Sequence, residues 1–500
     1  MMIKTTICFS LLILLVACAC RQNKKAELMW SQSLYQIGSQ SSPKATDLNG
    51  DGTLDIVMGA GTEELASSEY GVVALDGISG ELLWQQSATA QMVGSAKFYD
   101  ISGDGVDDIF IGGRNHNLMA LDGTNGEVIW NYEYTFADDP ILQYARYNFY
   151  NSTLVPDQND DGHPDLLTIN GGNWDALPGS AEDRFPGVLM LLDLKSGNVL
   201  AADTMPDGQE SYMSPLCFTQ PESEEAIVIF GTGGETMSGS LYRTTLADLK
   251  AKKLHQATVL ASEQGHGFIA PPVIADVTQD GYYDIIAATH ASQLHAVDGK
   301  NFRTIWKRSF PQMECSNSFA VGQFTGDVTP DFLAIMSQGT WPDYTIAQQV
   351  VLDGKDGSIA YQDSIGCFSL SSPVVYDIND DGWDEAIFSV GEYDCTTKIT
   401  EDNPSPPSMN SQLVVLDFAQ DRRQVLDKTE GFKNFYSTPW IGDLDQDRYL
   451  DIVYPQYYNA NDLFRFLGMT VKRINTGIRM REPVLWGEYM GANGNSVYPS

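Results

Sequence analysis

The hydrophobic positions of this chain fall in short runs broken by glycine and aspartate, and almost nowhere at the three- and four-residue spacing of an amphipathic helix. Residues 95–134, SAKFYDISGDGVDDIFIGGRNHNLMALDGTNGEVIWNYEY, are the clearest stretch. They predict a strand, an acidic turn, a strand, a short loop, a strand through NLMALDG, a glycine turn and a final strand through EVIWNYEY. Four short strands in succession make one propeller blade.

The pattern recurs. Acidic turns running into β-branched or apolar residues begin at Asp47 (DLNGDGTLDIV), Asp100, Asp157, Asp276, Asp377 and Asp443, and a worn copy, QFTGDVTPDFL, begins at Gln323. Between Asp157 and Asp276 the interval doubles, and SPLCFTQPESEEAIVIFGTGG at its middle keeps the flanking strands without the acidic loop. The period of about 50–60 residues, taken over eight such units, predicts an all-β chain folded as a single propeller of eight four-stranded blades. Seven blades is the alternative, if the fourth or sixth unit is absorbed by a neighbour.

Closure is also legible. AELMWSQSL at 26–34 reads as an outer strand with no blade of its own, since Trp30 matches Trp84, Trp130 and Trp306 in the second halves of other units. The eighth unit ends at GMTVKRI without such a strand, so the N-terminal strand is expected to complete it and remove an open edge. The tail from Arg481 onward is expected to pack over that junction.

The acidic turn carries chemistry. In D-x-[DNST]-x-D-G-x-x-D, positions 1, 3 and 5 throw oxygens to one side, position 6 relaxes the backbone and position 9 returns a carboxylate from the next strand. Position 7 would use its carbonyl, which leaves its side chain free to vary, and it is Thr53, Val106, His163, Tyr282, Trp383 or Tyr449. All-oxygen ligation suits calcium. The expected ligands are Asp47, Asn49, Asp51 and Asp55; Asp100, Ser102, Asp104 and Asp108; Asp157, Asn159, Asp161 and Asp165. They continue with Asp276, Thr278, Asp280 and Asp284; Asp377, Asn379, Asp381 and Glu385; Asp443, Asp445, Asp447 and Asp451. The last loop departs from the pattern with Arg448 at the glycine position, and the worn copy at Gln323 is left out. An Asx turn that needs no ion is the plainer reading of any one loop; recurrence across six loops favours several structural calcium ions.

The net charge is −36, which excludes a protein that neutralises nucleic-acid phosphates. Much of that charge lies in the repeated loops, where like charges repel unless a cation sits among them.

These loops resemble the FG-GAP or VCBS-type repeats of integrin α-subunit propellers, and ALDGTNGEVIW and its counterparts look like the blade repeats of quinoprotein-type (PQQ-like) propellers. The resemblance covers nearly all of the chain beyond its leader. It implies calcium in the loops and, from the quinoprotein side, eight blades.

At the N-terminus, MMIKTTICFSLLILLVACAC has a lysine and then a short apolar run, the form of a signal peptide. Leu15, Val16, Ala17 and Cys18 resemble a bacterial lipobox, with Cys20 as the alternative. The expected organisation is a lipoprotein signal peptide at 1–17, a tether at 18–25 lipidated on Cys18, and the propeller at 26–500, held by its lipid to a membrane of the cell envelope. Beyond the tether, Cys217, Cys315, Cys367 and Cys395 permit at most two disulfides, of which Cys367–Cys395 would staple the longest loop.

Turns A-to-B and C-to-D share one face of a propeller, so the longer, irregular loops gather on the other, where a ligand site is expected. Arg146, Tyr147, Trp174, His266, His290, Trp341 and Tyr393 are the candidates there, exposed aromatics with an arginine suiting a sugar or peptide; packing of the loops by these aromatics is the plainer reading. The functional expectation is a non-enzymatic extracytoplasmic module that binds a protein or a glycan, since no nucleophile, base and orienting group recur in a recognisable motif. Two rival readings are a polysaccharide lyase of the rhamnogalacturonan type, with His116, His266 or His290 as base, and a scaffold for outer-membrane assembly. A quinoprotein dehydrogenase finds no adjacent cysteines and no CxxCH in the sequence.

Overall fold

The computed structural model describes residues 25–499 other than 175, 178, 179, 181, 342, 368, 393–394, 396–409, 435 and 459–464. Cys18, the signal peptide, all but the end of the tether, and Tyr393 lie outside the described residues. The chain forms one eight-bladed propeller of antiparallel sheets, with a single short α-helix, Leu246–Lys250, among the described residues. Blade 1 shows the plan: strands A (Lys44–Thr46), B (Asp55–Gly59), C (Ser68–Leu75) and D (Leu82–Ala88) pair in sequence order from the axis outward. The unit without an acidic loop is a complete blade, Leu216–Phe218, Ile227–Gly231, Gly239–Thr245 and Thr258–Glu263, and so is the worn one, which settles the count at eight over seven. Glu27–Tyr35 pairs with Gly468–Arg479, from Tyr35 opposite Gly468 to Glu27 opposite Asn475, and is strand D of blade 8.

Burial explains the hydrophobic pattern. Strand B of blade 1 is buried at every position, because both its faces meet neighbouring blades, and such strands read as continuous apolar runs. Strand D is the outer edge and buries only Trp84 and Ala88. The cores are layers between blades: Val57, Val72 and Trp84 of blade 1 pack with Ile109, Met119 and Leu121 of blade 2.

Two devices lock blade to blade. Each D-strand tryptophan reaches the next blade's C-to-D turn: Trp30 Nε1 donates to Gly77 O at 2.9 Å, Trp84 to Gly123 O at 2.8 Å, Trp130 to Leu194 O at 2.9 Å and Trp306 to Gly354 O at 2.7 Å. The rings lie against Gly80, Gly126, Gly197 and Gly357, where φ is near +70° and a Cβ would strike the indole. Around the axis, the residue two before each strand A forms a polar belt. Thr438 N–H donates to Ser42, Ser42 to Ser95 and Ser95 to Asn151, whose amide donates to Ser214. Ser318 and Ser372 continue it to Thr438, and Pro271, which has no N–H to donate, holds the position in blade 5.

The tail does not pack over the closing junction as expected. It enters the axial channel and pairs with inner strands: Val375 N–H donates to Trp486 O at 2.9 Å, Ile441 to Gly487 O at 2.7 Å and Ile274 to Ser496 O at 2.8 Å. Lys44 of blade 1 pairs with Glu488 at 2.5 Å, and Lys97 of blade 2 donates to Gly494 O. Inner strands at an empty channel would present unpaired N–H groups, and the tail satisfies those of Ile274, Val375 and Ile441.

His295, on strand C of blade 5, is 6% exposed and stands opposite Lys307. Burial, and then Lys307, push its imidazole down to about 4. Between pH 6.5 and about 4 the unfolded chain binds more protons than the folded protein, so stability is lost as pH falls through that window. A His295→Gln variant is expected to show a flatter fall in thermal midpoint across it; a slope equal to the wild type's would reject the assignment.

Candidate functional site

The acidic turns take the positions expected of them. Each crosses from strand A to strand B, and positions 1 and 5, with position 3 in some loops, accept backbone N–H groups of their own loop. In blade 1, Asp47 accepts from Gly50 and Gly52, Asn49 from Asp51, and Asp51 from Thr53. The same pattern holds Asp100 with Gly103 and Gly105, Asp157 with Asp160 and Gly162, Asp276 with Asp280 and Gly281, and Asp377 with Asp380 and Gly382. Asp104, Asp161, Asp280 and Asp381 each accept from the residue two on. Ser102 donates to Asp100 and Asn159 to Asp193, while Thr278 and Asn379 donate to the position 9 carboxylates of their loops.

Position 9 has a second role. Asp55 is fully buried, with Oδ2 accepting from Leu48 N and Oδ1 from Gly77 N, both at 2.9 Å, so it joins the A-to-B turn to the C-to-D turn. Asp108 and Asp284 do the same with Gly123 and Gly299. Asp165 and Glu385 are buried alike and accept from Gln158 and Ile378. Burial pushes Asp55 and Asp284 up to about 6 and Glu385 up to about 8, despite the N–H groups that oppose it.

The blade 8 loop keeps its backbone although arginine replaces glycine. Arg448 has φ of +66°, and the matching glycines, Gly105 and Gly162, have open space where a Cβ would go. The substitution therefore costs about 1–2 kcal/mol of backbone preference and no clash. Asp443, Asp445 and Asp447 each offer an oxygen within 4.8 Å of the others, and Asp443 Oδ1 is buried without a hydrogen-bond partner. That orphaned oxygen and the all-oxygen donor set fit a hard cation. Asp451 stands apart, its carboxylate held by the buried Arg473 guanidinium at 2.9 Å, which also bonds Asp445 at 2.5 Å.

On the opposite face the channel opens as a funnel of about 470 Å³ above the tail, with Tyr489 in its floor. The polar belt sets its wall. The residue two before a belt member faces the opening in seven blades: Gln40, Val93, Tyr212, Ile269, Ser316, Leu370 and Tyr436. Loops add Tyr150, Trp174 and Trp341, the strand Asp343–Leu352 adds Tyr344, and two ion pairs, Arg114–Glu64 at 2.9 Å and Arg184–Glu210, face the same space. Tyr212 also donates to Glu210, which burial pushes up in pKa against the bonds from Tyr212 and Arg184.

Of the residues expected on this face, Trp174 and Trp341 line the funnel. His290 lies behind the wall, 3.3 Å from Glu314, with the His266 ring 5.7 Å away and His266 Nδ1 2.6 Å from Glu235 O. Arg146 and Tyr147 are not in the lining: Arg146 stacks on the Tyr147 and Phe185 rings at 5.3 and 5.2 Å, an arrangement that packs the loop before blade 3. Cys367 and Cys395 are joined by a disulfide on this face. Sequence reasoning missed Arg114, Arg184, Tyr212 and Tyr436; Tyr212 and Tyr436 share one offset ahead of strand A, which could have found them, whereas Arg114 and Arg184 lie in B-to-C loops of different length and carry no such signal.

The FAM234A/B beta-propeller family profile matches residues 58–374. No curated protein sequence matches the chain. Among solved structures, the quinohemoprotein alcohol dehydrogenase from Comamonas testosteroni superposes with a TM-score of 0.54 at 12% identity, over 92% of this chain and 78% of that one. A europium-containing methanol dehydrogenase gives 0.53 at 11%, over 90% and 93%. The rhamnogalacturonan lyase YesW gives 0.51 at 10%, over 93% and 76%. At such identities the likeness is one of fold.

Proposed function

Since the chain belongs to the FAM234A/B β-propeller family, we propose that it is a binding module: a calcium-stabilised propeller, anchored through lipid on Cys18, that takes a glycan or a protein segment into its funnel outside the cytoplasm. The observation that carries this reading is the funnel itself, a rigid concavity to which all eight blades contribute, walled by tyrosine and tryptophan faces with two ion pairs at fixed places. Aromatic faces beside paired charges match the alternating apolar and hydroxyl surfaces of a sugar. The Asx-turn loops, with their FG-GAP-like spacing, support the calcium half of the proposal, and Leu15 to Cys18 support the anchor.

The test is a panel of neutral glycans and uronate polymers titrated against the mature domain, with calcium and with a chelator, following both heat of binding and absorbance of unsaturated sugars. Saturable binding lost in Trp341→Ala is expected. Unsaturated product would instead establish a lyase, and silence on every glycan would move the search to peptides of envelope proteins. Chelation is expected to lower the thermal midpoint; each occupied loop contributes about 2.7 kcal/mol at a hundredfold excess of calcium over Kd. An unchanged midpoint would leave the loops as metal-free Asx turns.

A further inference from the structure

The wall position that is tyrosine in blades 4 and 8 is serine in blade 6. Ser316 lies two residues before the belt residue Ser318, is partly buried, and faces the funnel with its hydroxyl 3.2 Å from His290 Nδ1. Across the ring, His290 Nε2 stands 3.3 Å from Glu314 Oε2. The same carboxylate oxygen accepts the Tyr344 hydroxyl at 2.6 Å and the Trp341 N–H at 3.0 Å. We propose that Ser316, His290 and Glu314 act as nucleophile, general base and orienting carboxylate, and that the funnel hydrolyses a short O-acyl ester carried on a sugar.

The geometry meets what such a constellation requires. The imidazole cannot swing: it is 1% exposed, its backbone carbonyl accepts Cys315 N–H at 2.9 Å, and the His266 ring packs against it. Glu314 is buried, which works against its charge, but the bonds from His290, Tyr344 and Trp341 outweigh burial and hold its carboxyl below the usual range. An ionised Glu314 keeps the proton on Nε2, which leaves the Nδ1 lone pair directed at Ser316. Among the described residues the backbone N–H groups of Ser316 and Asn317 donate no hydrogen bond, and in the proposed reaction both are assigned to the developing oxyanion. A buried His–Glu pair alone would be a packing feature; an accessible hydroxyl on its far side, aimed by the belt into an open funnel, is not needed for packing.

The steps balance. Ser316 Oγ attacks the acyl carbonyl as its proton passes to Nδ1; the tetrahedral intermediate collapses and the sugar alcohol leaves with that proton. Water then adds to the acyl-serine, giving its proton to Nδ1, and the carboxylic acid departs as Oγ regains a proton. Glu314 touches no reacting atom and is a positioning residue.

The inference rests on the funnel being a ligand site, so the experiment uses a reagent that needs no glycan recognition. The mature domain is treated with a fluorophosphonate, the modified serine is mapped by peptide mass, and p-nitrophenyl acetate hydrolysis is followed in parallel. One adduct on Ser316 is expected, absent from Ser316→Ala, whose thermal midpoint is read alongside. Labelling should slow about 10²–10⁴-fold in His290→Gln, the usual contribution of a general base. It should slow in Glu314→Gln and recover in part in Glu314→Asp, which a purely structural role would not predict at constant midpoint. Unmodified Ser316 in folded protein, or hydrolysis by Ser316→Ala at the wild-type rate, overturns the inference. If Ser316 labels but no glycan binds, the ester chemistry stands and the glycan reading falls; the converse outcome removes the triad and leaves the binding module.

Discussion

Replacing Trp84 with alanine lowers the unfolding free energy by about 3–5 kcal/mol, the usual range for a buried tryptophan. The ring is 8% exposed, lies between blades 1 and 2 and donates to Gly123 O at 2.8 Å, so the variant removes packing and leaves a carbonyl of the neighbouring blade unpaired. Trp84→Phe, which keeps most of the apolar contact, should lose about 1–2 kcal/mol less than that. The partner turn supplies a sharper check. Gly126 has φ of +74° and no room for a Cβ beside the indole, so Gly126→Ala is destabilising through both strain and clash. Once Trp84 is gone the clash disappears and only the strain remains, and the two changes should be less than additive in a double-mutant cycle read by urea unfolding. Strict additivity would mean that the indole and the turn do not share the interface as described.

Truncation after Arg481 is expected to cost at least about 5 kcal/mol, on the basis that one buried tryptophan removes about 200 Å² from water at about 25 cal/mol per Å². Trp486, 1% exposed, and Tyr498, 8% exposed, pack in the channel against the inner strands of blades 5 to 7. Without them the N–H groups of Ile274, Val375 and Ile441 lose their acceptors, and Lys44 is left buried without Glu488. Trp486→Ala alone should account for most of the loss, because its partners cannot close a channel whose walls are fixed by the belt. A truncated propeller as stable as the full chain, by thermal midpoint and protease resistance, would show that the ring holds without its plug.

The sequence by itself determined the ring. Largely apolar B and C strands, half-apolar D strands and the recurring glycine-aspartate turns between A and B and between C and D are local patterns, and local sterics and burial are enough to read them. The closing role of 27–35 followed as well, because Trp30 repeats the signal of Trp84 and an unpaired edge has to be covered. The side of the Cys367–Cys395 link was legible from strand order. The loop at Arg448 was doubted only because glycine is the usual answer to a positive φ, whereas open space around that Cβ let arginine serve. What tertiary structure alone decided lies on the axis. Arg114 and Glu64, or Ser316 and His290, belong to different blades; they meet because loops after strand B, and in the second pair the segment before strand A, converge from neighbouring blades around the axis. The tail reads as an ordinary polar-aromatic terminus, and only a closed ring of inner strands with unmet N–H groups gives it a place to go. Pairing within a blade is written in neighbouring residues, while convergence at the axis depends on closing the circle.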